Sequence, residues 1–445
     1  MRPSSSFILS LALIVLPSLL SRHVSGFHLT QQFQASSKGS VLAIASFPIS
    51  PSGWQMLAVA GHGGGYVRFW TVPPSPSEGC PVLAETANVH GGSVFALDRI
   101  APDQSSGVRA SDEYMYLVSG SFDRTAKLHR VIISDRNDVT MKTVGDLAEH
   151  TGWVRGVRVR TSGNQYAIEL SGKHVLSIGC NLINVWTVKP FSDQRQGFEA
   201  VRIARLDAGP SPGDPCEEDF RRHDILCLDL LGDGKSVEGK ASSWIVAGLV
   251  DGTVRVFEGR FDHWQLERFS KSPYSATGNC AVVEDVQDDR PTLAFKAHSG
   301  RVTGVHKIPG SPQDFISLGH DGRWVRWHIA YSDAGVEGRR TPIFAKEREG
   351  RVPAVRTGTS EVSTETRISS SSVVTDINQK CSLVLGTTGG SMYQVDISSK
   401  DASACKEIWK DDTGKNSITS IATLGSDLVA AGTSAGSVMV FQNVN

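Results

Sequence analysis

One pattern recurs seven times along the chain, and a recurrence of this length leaves few architectures open. Each unit begins with an apolar alternating run, usually placed behind a His. An apolar strand ending in small residues follows, then a tight Asp/Gly turn and a strand that ends in an aromatic. In the second unit these are His90 with Val94 to Leu97, Leu117 to Ser121, Asp123, and Ala126 to His129. In the fifth they are His298 with Val302 to Val305, Phe315 to Ser317, Asp321, and Trp324 to Trp327. His150 and His223 open the third and fourth units, and the last two units are weaker. The third strands end at Trp70, His129, Trp186, Phe257, Trp327, Val395 and Phe441, at intervals of 59, 57, 71, 70, 68 and 46 residues. These exceed the ~40 to 45 residues of a minimal four-stranded repeat, so insertions decorate most units. One small sheet cannot bury both of its faces alone, whereas a closed circle of sheets buries all of them. The expected fold is all-β: a seven-bladed β-propeller of four-stranded antiparallel blades.

From about Gly39 to Phe441 these residues resemble the WD-repeat β-propeller family, although no strand ends in the Trp-Asp pair. In that family a His, a Ser/Thr, an Asp and a Trp form a hydrogen-bonded set inside the blade. The Asp lies four residues after the Ser and six before the Trp. Blade five carries the set as His298, Ser317, Asp321 and Trp327; blade two has His90, Ser119 and Asp123, with His129 in place of Trp. The resemblance implies a structural role for these groups. It also implies a non-enzymatic scaffold that binds proteins or peptides on the propeller face, with no cofactor. The face positions follow each His and precede each turn Asp, which gives Ser93, Phe122, Trp153, Arg155, Arg301 and His320. Phe122, Trp153, Arg155, Arg301 and His320 form the expected protein-binding ring, since aromatic and Arg side chains bring large area and fixed donors to a contact.

The last unit ends four residues after Phe441 and lacks an outer strand, and a propeller does not leave such an edge open. Phe27 to Gln34 is strand-like, with Leu29 and Phe33 expected on one face, and is assigned as the closing strand. Four segments interrupt the pattern. Residues 101–113 and 207–222 are polar or Pro-rich loops. Residues 258–291 are expected to join blades four and five, with Trp264, Phe269 and Tyr274 docking the loop. Residues 330–371, basic and then Ser/Thr-rich, are expected as a long solvated loop. Arg326 replaces an apolar residue and is expected either to pair with a carboxylate or to lie on an irregular strand.

Phe7 to Leu20 is an uncharged apolar run behind Arg2, stopped by Ser21-Arg22-His23. That is the layout of a signal peptide spanning residues 1–26, and the run is shorter than the roughly 18 apolar residues of a membrane span. Entry into the secretory pathway is expected, with no stable membrane span after cleavage. Phe27 at the cut, and the absence of acidic residues before Glu78, resemble the bipartite leaders of algae with secondary plastids, which is the alternative destination. Forty-five Lys and Arg against 46 Asp and Glu leave a net charge of −1, which argues against nucleic-acid binding. Seven cysteines without a Cys-x-x-Cys pair suit neither a disulfide framework nor a zinc site, and are expected mostly free.

Catalytic motifs fail on context. Gly432 to Gly436 matches G-x-S-x-G and His62 to Gly65 matches an oxyanion-hole motif. Eleven residues remain after Ser434, with neither acid nor His, whereas that triad requires both downstream. Residues Leu231 to Ser236 resemble a P-loop but have Asp229 where its first Gly belongs. No catalytic or metal residue is assigned. Two alternatives stand beside the scaffold: a hydrolase or lactonase with a metal in the central channel, and a cullin ligase substrate receptor. The second rests on Ile245 to Arg260, which resembles an adaptor-docking box.

Overall fold

The computed structural model describes residues 26–444, apart from several segments of which the longest are 101–114, 161–173, 210–223, 262–292 and 354–365. The leader, most of the expected insertions at 101–113, 207–222 and 258–291, and His223 lie outside the described residues. The described strands form seven four-stranded antiparallel sheets. Six sheets use consecutive strands in simple meander order. Blade two, for example, runs Val94–Ile100, Met115–Ser121, Ala126–Ile133, Val139–Leu147 from the axis outwards. The first strands of all seven blades line an axial channel of about 450 Å³. No helix among the described residues is long and apolar enough to cross a membrane.

The seven hydrophobic clusters of buried side chains lie between neighbouring blades. Phe47, Phe69, Leu117 and Val131 fill the seam between blades one and two. Phe257 and Leu249 meet Leu176 and Ile203 between blades four and three. The middle strands of a blade therefore present apolar side chains to both sides, one set towards each neighbour. Such doubly covered strands read as continuous apolar runs, and Met115–Ser121 is buried at every position.

The seventh blade closes as expected. Gly26–Gln34 pairs antiparallel with Ser437–Val444, from Gly26 opposite Val444 to Gln34 opposite Ser437. The face assignment needs correction, because a bulge at Thr30 lies between the Leu29–Phe441 and Gln31–Val440 pairs. One extra residue reverses the alternation, so Leu29 and Phe33 point to opposite sides. Phe27 enters the seam between blades six and seven beside Phe441 and Met439. Phe33 turns to blade one, its ring 4.7 Å from that of Trp70, and Gln31 Nε2 donates to the Pro73 carbonyl at 3.0 Å. Leu29 is left 41% exposed.

Two expected loops need correction. Thr341–Arg351 is the outer strand of blade five and Ile368–Thr375 the inner strand of blade six, so residues 330–371 are not one solvated loop. Leu293–Lys296 is the outer strand of blade four, so the segment before it interrupts blade four instead of joining two blades. At Gly65 and Gly322, with φ of 77° and 76°, a Cβ would collide with the His90 and Thr366 carbonyls. Glycine is required there on both counts.

The closing strand yields a paired test. Phe27→Ala removes a 3%-exposed ring from a seam and is expected to cost about 3 to 5 kcal/mol in denaturant unfolding. Leu29→Ala should change stability by no more than about 0.5 kcal/mol. Equal losses would refute the bulged register.

Candidate interaction face

The same irregularity recurs in the inner strand of every blade. Register shifts fall between Val41 and Ala43, Val94 and Ala96, Val154 and Gly156, Ile225 and Cys227, Val302 and Gly304, Ile368 and Ser370, and Ile418 and Ser420. A bulge leaves one residue out of the ladder and re-aims its side chain. Here that residue lines one end of the channel, as Phe95 in blade two, Arg155 in blade three and Thr303 in blade five. The residue before each inner strand forms a second ring at the same end. In six of the seven blades its carbonyl accepts from the turn between the second and third strands. Phe122 N donates to Ser93 O at 2.9 Å, Val250 N to Asp224 O at 3.0 Å, His320 N to Arg301 O at 2.8 Å and Thr388 N to Arg367 O at 3.0 Å. Two loop sets are thus tied into one face.

On this face blades two and three carry an aromatic cluster. The Phe122 and Trp153 centroids are 4.5 Å apart, and Phe95 lies 6.2 Å from Trp153 in a stacked arrangement and 6.4 Å from Phe122. His62 meets Phe95 edge-on at 6.2 Å and has Nδ1 3.1 Å from Ser93 Oγ. The Arg155 guanidinium sits 5.3 Å from the Trp153 centroid, within cation–π range. Phe122 and Trp153 nevertheless remain 46% and 41% exposed.

Of the five expected face residues, Phe122, Trp153 and Arg155 therefore come together. Arg301 and His320 pair in blade five, with blade four between the two groups. Burial, and then the charges of Arg301 and Arg367, disfavour the His320 imidazolium. Phe95, His62 and Arg367 belong to the face and were not picked out by the sequence reading. Phe95 is recoverable as the residue after Val94 once the bulge is recognised. Arg367 precedes a unit with no His to set its register.

The expected structural set forms as a chain of hydrogen bonds. His298 Nδ1 lies 3.1 Å from Asp321 Oδ1, His298 Nε2 lies 2.9 Å from Ser317 Oγ, and Trp327 Nε1 donates to Ser317 Oγ at 2.8 Å. In blade two His90 Nδ1 is 2.9 Å from Asp123 Oδ2 and its Nε2 is 2.7 Å from Ser119 Oγ. His129 Nε2, also 2.7 Å from Ser119 Oγ, takes the place of the indole. The donors are fixed by elimination. Asp123 as carboxylate only accepts, so His90 Nδ1 donates; Ser119 gives its one proton to His90 Nε2 and accepts from His129 Nε2–H. His129 Nδ1 then accepts from Thr143, 3.1 Å away. This needs a neutral His129, and burial, followed by the His90 and Lys127 charges, pushes its pKa down to about 3. Burial alone would raise Asp123, but hydrogen bonds from Thr125 and Gly91 and the His90 charge hold it down at about 2. Blade three keeps His150, Ser177 and Trp186 at 2.8 Å for both contacts. Blade one has Val59 where blades two, three and five have Ser, and its buried Trp70 N–H has no hydrogen bond among the described residues.

The channel is more polar than the inner-strand sequences imply. Asp98, Arg158 and His306 line it, with Asp229 3.9 Å from Arg158 Nε. Asp98 Oδ2 accepts from Val159 N and Asp229 Oδ2 from Lys307 N, both at 2.8 Å, so each carboxylate staples its blade to the next. Burial raises the Asp98 pKa. His306 Nε2 is 2.7 Å from Ser371 Oγ, and burial holds the imidazole down at about 4. Among the described residues, the one trio placed to share a metal ion is Asp314, His328 and Glu347, outside the channel in blade five. Arg326 answers the question its sequence raised by occupying that trio, with Nη2 2.6 Å from Asp314 and Nε 2.8 Å from Glu347.

Other motifs resolve as scaffold. Gly432 to Gly436 is the end of the strand Leu428–Thr433 and the turn after it, whose Ser434 Oγ accepts from Ser417 N at 2.9 Å. The box at Ile245 to Arg260 coincides with a blade-four hairpin, Ala241–Leu249 and Thr253–Gly259, with Val246 and Phe257 in the core. Cys80, Cys180, Cys227, Cys381 and Cys405 form no disulfide among the described residues; Cys216 and Cys280 lie outside the described residues.

No family model matches the chain, and no curated protein sequence matches it. Among solved structures, the chain is similar to the crystal structure of the WD40 β-propeller domain of Doa1, with a TM-score of 0.55 and 12% identity. The alignment covers 95% of this chain and 98% of that one. At this identity the likeness defines a fold: a WD40-type seven-bladed propeller.

The His129 assignment predicts a pH dependence. A histidine at about 3 when folded and about 6.5 when unfolded binds more protons unfolded. Its neutral form therefore stabilises the fold fully above pH 6.5 and progressively less as pH falls towards 3. Between pH 7.5 and 5 this one group should remove about 2 kcal/mol of unfolding free energy. His129→Trp, which restores the indole of blades three and five, should flatten that part of the slope in denaturant titrations. An unchanged slope would refute the assignment.

Proposed function

We propose that this chain is a non-enzymatic protein-interaction scaffold that docks partners on the face carrying Phe95, Phe122, Trp153 and Arg155. The observation that carries the reading is the pair of exposed aromatic rings, Phe122 and Trp153, braced by a third ring and a stacked guanidinium. A rigid aromatic group of this kind loses little conformational entropy on contact and offers a large apolar area. The WD40-type fold supports protein partners. Two features weigh against a channel reaction centre: Asp98 and Asp229 accept backbone N–H bonds, and the neutral His306 has no hydrogen-bonded carboxylate among the described residues to orient it as a base. We further propose that the chain enters the secretory pathway through the apolar run Phe7 to Leu20.

The double variant Phe122→Ala/Trp153→Ala should keep its unfolding midpoint, since both side chains are far from fully buried, and lose at least roughly tenfold in capture of crosslinked partners. Unchanged capture would sink this face. Sequencing the mature N-terminus should find a first residue no later than Phe27; a start beyond Gln34 would remove the closing strand and contradict the processing proposed here.

A further inference from the structure

The two halves of the face differ in chemistry. Blades two and three present Phe95, Phe122 and Trp153. Blades five and six present Arg301 and Arg367, both exposed, at the ring position that Trp153 occupies in blade three. In a ring of seven, blade four separates these pairs on one side and blades seven and one on the other, so they stand across the channel mouth from each other. Their proximity within blades five and six is reflected in His320, whose imidazolium both arginines disfavour after burial does. Neither arginine has an ion pair among the described residues. Asp224 is the one carboxylate at these seven ring positions, and it lies in blade four, between the two groups.

We infer that the face binds an extended acidic peptide segment laid across the channel mouth, with an aromatic or aliphatic anchor on Phe122 and Trp153 and carboxylates on Arg301 and Arg367. The inference rests on the docking face proposed above and names its partner's chemistry. An aromatic platform takes the apolar anchor because its edges are already fixed by ring–ring contacts and its outer faces are still wet. Two guanidiniums without carboxylate partners among the described residues favour bidentate acceptors, and carboxylates supply them. The charge is local: the chain carries −1 overall, so a long polyanion extending past the mouth gains little beyond a Debye length of about 8 Å. A short acidic segment that spans only the mouth feels the arginines and little else. Peptide is thus favoured over nucleic acid or an anionic bilayer.

The test is selection of a displayed random 12-residue peptide library on the full-length protein, followed by binding of individual peptides. Sequences enriched in Asp/Glu and carrying one Trp, Phe or Leu a few residues away are expected. Their affinity should fall at least roughly tenfold in Arg301→Glu/Arg367→Glu and on raising salt from 50 to 500 mM, as a charge-dependent contact requires. Replacing the acidic residues by Lys should abolish binding to the wild-type protein and restore part of it in the charge-reversed variant. Enrichment of neutral or basic peptides, no effect of charge reversal, or tighter binding of a 12-nucleotide poly-U or of phosphatidylserine vesicles would each overturn the inference. Peptides that lose affinity in Phe122→Ala/Trp153→Ala but ignore Arg301→Glu/Arg367→Glu would leave the docking face standing without an acidic partner. If no peptide from the library is enriched and the aromatic variant leaves partner capture unchanged, the docking face falls too.

Discussion

Closure of the ring is the constraint on which everything else depends. Each seam is filled from two sheets, so a blade has no complete core of its own and the last blade must find both a fourth strand and a neighbour. Gly26–Gln34 supplies the strand, and its side chains enter two seams: Phe27 between blades six and seven, Phe33 and Ala35 between seven and one. Hydrogen bonds tie this strand to the turn before Ser437, with Ala35 N and Ser36 N both donating to Gly436 O. The bulge at Thr30 decides which seam each ring enters: Phe27 and Phe33, six residues apart, would share a face on a regular strand, and the reversal of alternation sends them to opposite seams.

The sequence exposed this architecture wherever chemistry repeats. The seven units, the closing strand and the His298–Ser317–Asp321–Trp327 set were all readable, since apolar periodicity and a fixed polar spacing leave local marks. What stayed hidden was set by register or by solvent. Bulges leave no composition signal, so Leu29 and Phe33 read as one face, and Phe95 read as an ordinary inner-strand residue. Outer strands are half wet and carry charge to blunt the edge, so Thr341–Arg351, with Lys346, Glu347, Arg348 and Glu349, reads as a loop. Cross-blade staples such as Asp98 to Val159 are invisible because their partners are backbone N–H groups.

The polar sets show how little freedom a buried hydroxyl leaves its neighbours. Ser119 and Ser317 each hold one donor and one acceptor contact at a site where water cannot substitute. The third partner must therefore donate, and an indole N–H or a neutral imidazole N–H both serve. A substitution of Trp by His is then a conservative one in hydrogen-bond terms, and it introduces a pH dependence that the indole lacks. Blade one shows the converse. With Val59 in place of Ser the acceptor is gone, and Trp70 stays for its packing against Phe33 while its N–H finds no acceptor among the described residues.

The repeated inner-strand bulge separates the scaffold from the face. The residue it ejects from the ladder is released from the alternation that fills the seams, so its side chain can be Phe, Arg, Thr or Ser without disturbing a core. The residue before the inner strand is held through its carbonyl at Ser93, Asp224, Arg301 and Arg367, a contact that every side chain permits equally. Both rings of the face are thus held in place by backbone and left open in chemistry. A propeller built this way keeps one stable ring while its face takes any pattern. Here that pattern is aromatic on blades two and three and cationic on blades five and six, an asymmetry that the packing of the blades does not require.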